Sequence, residues 1–204
     1  MSDQTSVFIV DDDEQVRSAL TLLMESVGLN VQSFASAQKY LEQFDASQAG
    51  CLILDVRMPG ISGLDLQARL AAEKIHPPII IITGHGDVPM AVRAVRSGAV
   101  DFIEKPFNNQ VMLDCVHRAI EKDAVQRGET SRLQDIEKHY NELTPREKEV
   151  LQFVIEGKRN KIIAAELKIS QSTVEAHRSK VMEKMSADTL SDLMRMALLL
   201  KLIG

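Results

Sequence analysis

The chain has 204 residues, of which 45% are hydrophobic and 26% charged, with a formal net charge of −5. That length admits one large domain or two small ones, and the composition excludes collagen, a coiled-coil rod and wholesale disorder. The longest purely apolar runs, residues 79–82 and 196–200, fall far short of the roughly 20 residues a membrane helix needs, so a soluble protein is expected. The opening segment MSDQTSVFIV lacks a cationic leader and a small-residue cleavage site, and no signal peptide is expected. The two cysteines, Cys51 and Cys115, sit in apolar segments, which points to buried thiols and a reducing cytoplasm rather than a disulfide framework. The charge is uneven: residues 1–122 hold 10 basic and 16 acidic side chains, whereas residues 141–204 hold 11 basic and 9 acidic. The two halves differ in kind.

In chain order, short apolar runs at residues 7–10, 31–34, 51–54, 79–83 and 102–103 predict strands. Between them, residues 14–27, 36–44, 63–74 and 87–97 carry apolar side chains at i, i+3 and i+4 spacing and predict helices. Runs such as CLIL and IIIIT are apolar on both faces, which suits a parallel sheet covered on both sides. An α/β, doubly wound open sheet follows, with its ligand site just beyond the carboxyl ends of the strands. A fifth helix begins near Asn108, and the charged stretch at 123–140, interrupted by Gly128, predicts a partly helical linker.

Beyond Leu143 the strand signal disappears. Thr144-Pro145-Arg146-Glu147 supplies an N-cap, a proline at the first helical position and a glutamate at the third. Helices are expected from there to about Glu156, then over 160–168, 172–185 and 189–202, a four-helix unit.

Asp11, Asp12 and Asp13 follow the first strand and Asp55 follows the third. If those strands are neighbours, Asp11, Asp12 and Asp55 surround one pocket, where like charges at close range call for a cation. Oxygen ligands alone point to Mg²⁺. Any one of these aspartates, taken singly, reads equally as a helix cap, and Asp13 is assigned to that role or to the outer shell. The fourth strand ends in the hydroxyl of Thr83 and the fifth in Glu104-Lys105-Pro106-Phe107. Carboxylate, cation site, hydroxyl and lysine are together the parts of a phosphoryl-accepting aspartate.

The segments IVDDDEQVR, LDVRMPGISG and IITGHGDVPMAVRAVRSGAVDFIEKPF closely resemble the receiver domain of two-component response regulators over residues 5–122. The resemblance implies a flavodoxin-like sheet of strand order 2-1-3-4-5. It implies that Asp55 takes a phosphoryl group from a sensor histidine kinase, and that Asp11, Asp12, Asp55 and the backbone carbonyl of Arg57 hold Mg²⁺. It also implies that Lys105 and Thr83 bind phosphoryl oxygens, that Lys105-Pro106 is a cis peptide, and that Thr83 and Phe102 form the switch. A phosphatase of the haloacid-dehalogenase type also uses an aspartate after a parallel strand, but it needs an acid two residues on; Arg57 stands there. Slow self-dephosphorylation is then the only expected turnover, and the chain is not expected to be an enzyme.

In the second half, the stretch from Asn160 to Val174 places a helix, a turn near Ile169-Ser170 and a second helix in succession, which is helix-turn-helix geometry. The segment LTPREKEVLQFVIEGKRNKIIAAELKISQSTVEAHRSKVMEKM resembles the LuxR-type (GerE) helix-turn-helix over residues 141–203, and with the receiver before it the chain resembles the FixJ branch of the NarL/FixJ family. The resemblance implies that Glu175, Ala176 and Ser179 meet bases, while Thr173, Arg178, Lys180, Lys184 and Lys161 meet mainly phosphates, with His177 packing or supporting the backbone contact. Lys158-Arg159 after Gly157 and Glu175 depart from the usual pattern, and Glu175 leaves the operator sequence open. The apolar stripe of the last helix implies a dimer contact. The whole implies a cytoplasmic transcription regulator that dimerises on phosphorylation through residues 87–104, binds promoter DNA and meets RNA polymerase, with activation the expected sign. A constitutive DNA-binding protein with a degenerate receiver is the alternative.

Overall fold

The computed structural model describes residues 5–84 and 88–203. Asp87, expected to open the fourth helix, and His85 lie outside the described residues. Two compact units divide between Arg127 and Gly128.

The first unit follows the sequence pattern closely. Its elements are β1 (Ser6–Val10), α1 (Glu14–Ser26), β2 (Asn30–Phe34), α2 (Ala37–Gln43), β3 (Gly50–Asp55), α3 (Gly63–Ala72), β4 (Ile79–Thr83), α4 (Val88–Arg96) and β5 (Asp101–Glu104). The five strands pair in parallel in the order β2-β1-β3-β4-β5. Alternation along the strands divides the core in two. Phe8, Val10, Leu52, Leu54 and Ile81 pack with Tyr40 of α2, Leu66 and Leu70 of α3 and Ala94 of α4. Val7, Ile9, Ile53, Ile80 and Ile82 face the other way, onto Leu20 and Met24 of α1 and onto Met112 and Val116 of the helix after β5. Both faces are thus covered by apolar surface, each fully buried large aliphatic side chain contributing roughly 1.5–3 kcal/mol. This is why the strands read as continuous apolar runs rather than alternating ones.

Side-chain caps set the helix starts: Asp13 accepts from the amide of Gln15 at the head of α1, Ser36 from Lys39 at α2 and Ser62 from Asp65 at α3. At Gly50 a side chain has no room, since its φ is +145° and a Cβ there would lie 1.8 Å from the Ser6 carbonyl oxygen.

Helix α5 runs from Asn109 to Asn141, through the stretch expected to be a partly helical linker. Gly128 lies inside it, at a penalty of about 1 kcal/mol relative to alanine. The flanking sequence offsets that penalty: Arg127 pairs with Asp123 at i,i+4 (2.8 Å), and Ile136 enters the core of the second unit.

The second unit contains α6 (Pro145–Ile155), α7 (Asn160–Leu167), α8 (Gln171–Lys184) and α9 (Leu190–Leu199). Thr144 with Glu147 and Thr189 with Asp192 form capping boxes, and Ser170 caps α8. Val150, Leu151, Ile163, Val174, Val181 and Leu193 are buried together. The tight turn between α7 and α8 is made at Lys168, whose φ of 53° lies in the left-handed region. Helix α9 ends at Leu199 rather than 202 because Lys201, at φ 55°, turns the chain.

Candidate functional site

The pocket at the carboxyl end of the sheet is assembled by strand order. Because β1 pairs with β3, with Val10 opposite Leu54, the residues that follow them, Asp11 and Asp55, become neighbours. Both are buried, Asp11 at 0% and Asp55 at 4% exposure, and the Lys105 side chain lies between them. The Lys105 Nζ donates to Asp11 Oδ2 at 2.6 Å and to Asp55 Oδ1 at 2.7 Å. The remaining oxygens are held by backbone amides: Asp13 N donates to Asp11 Oδ1 at 2.9 Å and Arg57 N to Asp55 Oδ2 at 2.7 Å. Asp12 is exposed at the rim.

Helix α3 comes close to β3 at Gly63. A Cβ there would fall 2.1 Å from the Asp55 carbonyl oxygen, and the Gly63 amide donates to Val56 O at 3.0 Å. On the other side, Lys105 is steadied by its own amide, which donates to Thr83 O at 2.7 Å, and the Lys105-Pro106 peptide is cis. Thr83 is buried at the end of β4, and Phe102 in β5 is half-buried against the core. Asp13 caps α1, one of the two roles expected of it.

Burial pushes the Asp11 carboxyl above its usual range, against the opposing pull of Lys105. Burial also works against the charge on Lys105, but its hydrogen bonds to Asp11 and Asp55 outweigh that effect and raise its pKa. One ammonium therefore faces two buried carboxylates with a third at the rim. Carboxylate oxygens of Asp11, Asp12 and Asp55 lie within 4.8 Å of one another. An all-oxygen set with a surplus of negative charge fits a divalent cation of the Mg²⁺ type.

Sequence reasoning missed Arg17. Its guanidinium donates to the carbonyls of Asp11 (2.8 Å) and Asp12 (2.9 Å), fixing the acidic loop from the fourth residue of α1. The available signal was a cation near a helix N-terminus, where the dipole disfavours it.

In the second unit, α8 is the helix expected to read DNA. Thr173, Glu175, Ala176, Ser179 and Lys180 are exposed on it, as is Lys161 on α7, while Arg178 and His177 are half-buried. Lys184 is engaged elsewhere: its Nζ lies 2.7 Å from Glu147 Oε2 and donates to the Glu142 carbonyl at 3.2 Å. Glu147 is itself buried, and Lys184 together with the Thr144 cap lowers its pKa to about 2. Arg178 donates to Asn160 Oδ1 at 2.8 Å, a partner not anticipated from the sequence.

The comparisons with known proteins agree with both units. Residues 7–117 match the response regulator receiver domain, and residues 141–197 match the bacterial regulatory proteins of the luxR family. The chain is 46% identical to the response regulator protein TodT of Pseudomonas putida over 202 residues, 98% of this chain and 89% of that protein. It is 45% identical to the transcriptional regulatory protein FixJ of Rhizobium meliloti over 198 residues, 97% of each. Among solved structures it is similar to the response regulator StyR, with a TM-score of 0.88 and 42% identity covering 96% of this chain and 98% of that one. No helix among the described residues is long and apolar enough to cross a membrane. The chain belongs to the response regulators that join a receiver domain to a LuxR-family helix-turn-helix domain, and it is a phosphorylation-dependent regulator of transcription.

Proposed function

We propose that Asp55 is the phosphoryl acceptor and that its phosphorylation by a sensor histidine kinase switches promoter binding by α8. The observation that carries this reading is the Lys105 ammonium held between two buried carboxylates, 2.6 Å from Asp11 and 2.7 Å from Asp55. An oxygen of Asp55 attacks the phosphorus of a phosphohistidine; the O–P bond forms as the P–N bond breaks, and the imidazole leaves and takes up a proton. Asp11, Asp12, Asp55 and the Arg57 carbonyl would hold Mg²⁺, which when bound would supply charge neutralisation for the phosphoryl oxygens. Lys105 and Thr83 stabilise those oxygens after transfer, so Lys105 exchanges a carboxylate partner for a phosphoryl one. The only turnover is slow loss of the phosphoryl group.

Thr83 then shifts toward the phosphoryl group and Phe102 follows, biasing a two-state face over residues 87–104 toward a homodimer. Dimerisation brings two copies of α8 to two half-sites of promoter DNA, where RNA polymerase is engaged and transcription activated. Glu175, Ala176 and Ser179 meet bases; Thr173, Arg178, Lys180 and Lys161 meet phosphates. Lys184 was expected among the phosphate contacts, and its ion pair with Glu147 favours a framework role instead. The receiver extends to about residue 122, followed by a linker over 123–140 and the DNA-binding domain from 141, in a cytoplasmic protein.

Incubation with acetyl phosphate and Mg²⁺ tests the chemistry. Stoichiometric labelling at Asp55 is the expected result, whereas multiple-turnover hydrolysis of assorted phosphate esters sinks the proposal in favour of a phosphatase.

A further inference from the structure

The side chain of Asn160, first residue of α7, crosses to α8 with both of its polar atoms. Its Oδ1 accepts from Arg178 Nη1 at 2.8 Å, and its Nδ2 donates to Glu175 Oε1 at 3.4 Å. An asparagine at a helix start ordinarily serves the helix that it begins. Here the residue that precedes α7 as its N-cap, Arg159, makes no side-chain capping bond, while the Asn160 amide beside it is spent on the neighbouring helix. Glu175, exposed, and Arg178, half-buried, lie one turn apart on α8. As oppositely charged i,i+3 neighbours they are free to pair directly with each other. The amide instead gives each its own partner and holds the carboxylate and the guanidinium apart at set positions.

We propose that Asn160 is a positioning residue for sequence readout: by bridging Glu175 and Arg178 it fixes the carboxylate that α8 presents to base edges relative to the guanidinium that it sets against the phosphate backbone. The inference rests on the reading of α8 as the DNA-contacting helix. A glutamate accepts from a cytosine amino group only when its oxygen is aimed at it, and an arginine reaches guanine or phosphate only from a matching rotamer. Side chains ordered before binding lose less freedom on binding, so their discrimination between bases is sharper. Asn160 touches no base in this scheme. It acts through the two residues that it holds, and the preferred operator is read by a glutamate held at a set distance from an arginine on the phosphate backbone.

The test is selection from a random duplex library by the full, phosphodonor-treated chain, comparing wild type with Asn160→Ala, Asn160→Asp and Glu175→Ala. Wild type yields a base preference, part of which Glu175→Ala flattens. Asn160→Ala is expected to lower preference at those same positions by about 5- to 30-fold, with affinity for unrelated duplex and its salt slope kept within about twofold. Asn160→Asp keeps the acceptor for Arg178, replaces the donor to Glu175 by a like charge, and suits the helix start. It is expected to flatten the Glu175-dependent positions while sparing the others, with a thermal melt matching wild type. Unchanged preferences in both variants overturn the inference, as does a uniform loss on all sequences. If wild type itself selects no sequence, the DNA-reading assignment fails and takes this inference with it.

Discussion

The carboxylate of Asp55 and the ammonium of Lys105 meet at 2.7 Å inside the sheet's carboxyl edge, although 50 residues separate them in the chain. Strand order alone makes the meeting possible, since β3 and β5 flank β4 and both end at the same rim. Lys105→Ala leaves Asp11 and Asp55 buried without their cation. The variant is expected to lose about 1–3 kcal/mol of stability in metal-free buffer, and to regain part of it in millimolar Mg²⁺. Urea unfolding with Mg²⁺ and with chelator measures both, and a loss unaffected by Mg²⁺ argues against a cation in the pocket.

Asp12 separates chemistry from stability, because it is exposed at the rim while its neighbour Asp11 is fully buried. Asp12→Asn is expected to stay within about 0.5 kcal/mol of wild-type stability. Its labelling by acetyl phosphate slows by about tenfold or more, and the Mg²⁺ concentration needed rises. Equal rates at all Mg²⁺ concentrations remove Asp12 from the cation site.

The Lys184–Glu147 pair gives an acid signature. Lys184, then the Thr144 cap, holds Glu147 at about 2, below the ordinary 4.5. A depressed carboxylate stabilises the fold fully above its unfolded value, and the contribution drains away as pH falls from about 4.5 towards 2. Acid unfolding of the full chain, followed by signals from the second unit, is therefore steep in that window. Lys184→Met is expected to be less stable at neutral pH by about 1–3 kcal/mol and to show a shallower fall there. Identical acid profiles for the two proteins remove the pair from the stability of this unit.

Much of this was legible in the sequence because its signals are local. The apolar runs CLIL and IIIIT gave the buried strands, and Thr144 marks a helix start that the structure keeps. The grouping of Asp11, Asp12, Asp55 and Lys105 was also readable, since each lies at or just beyond the carboxyl end of a strand. What escaped was whatever depends on a side chain reaching across elements. Arg17 and Asn160 look like ordinary surface residues until their partners are placed, and Lys184 looks like a free cation until Glu147 is found buried beneath it. The course of α5 escaped for another reason: Gly128 is a break signal, and only the Asp123–Arg127 pair and the burial of Ile136 show what outweighs it.

Arg127 makes a further prediction at the opposite end of the sheet. Its guanidinium donates to Asp123 and to the carbonyls of Ala46, Ser47 and Gln48, while Asp123 Oδ2 accepts from the Gly50 amide at 2.8 Å. Arg127→Ala is expected to raise amide exchange across residues 45–51 and in the adjoining turn of α5, at a loss of about 1–3 kcal/mol. Exchange unchanged in both segments contradicts the anchoring.

In the proposed switch, phosphorylation of Asp55 controls DNA binding. Its most direct measurement is the affinity of the full chain for a selected operator, with and without acetyl phosphate and Mg²⁺, for wild type and Asp55→Asn. Wild type is expected to tighten by about tenfold or more on phosphorylation, equivalent to about 1.4 kcal/mol, while Asp55→Asn stays at the unphosphorylated affinity. Equal tightening in the two proteins, or none in either while wild type carries a phosphoryl group on Asp55, contradicts it.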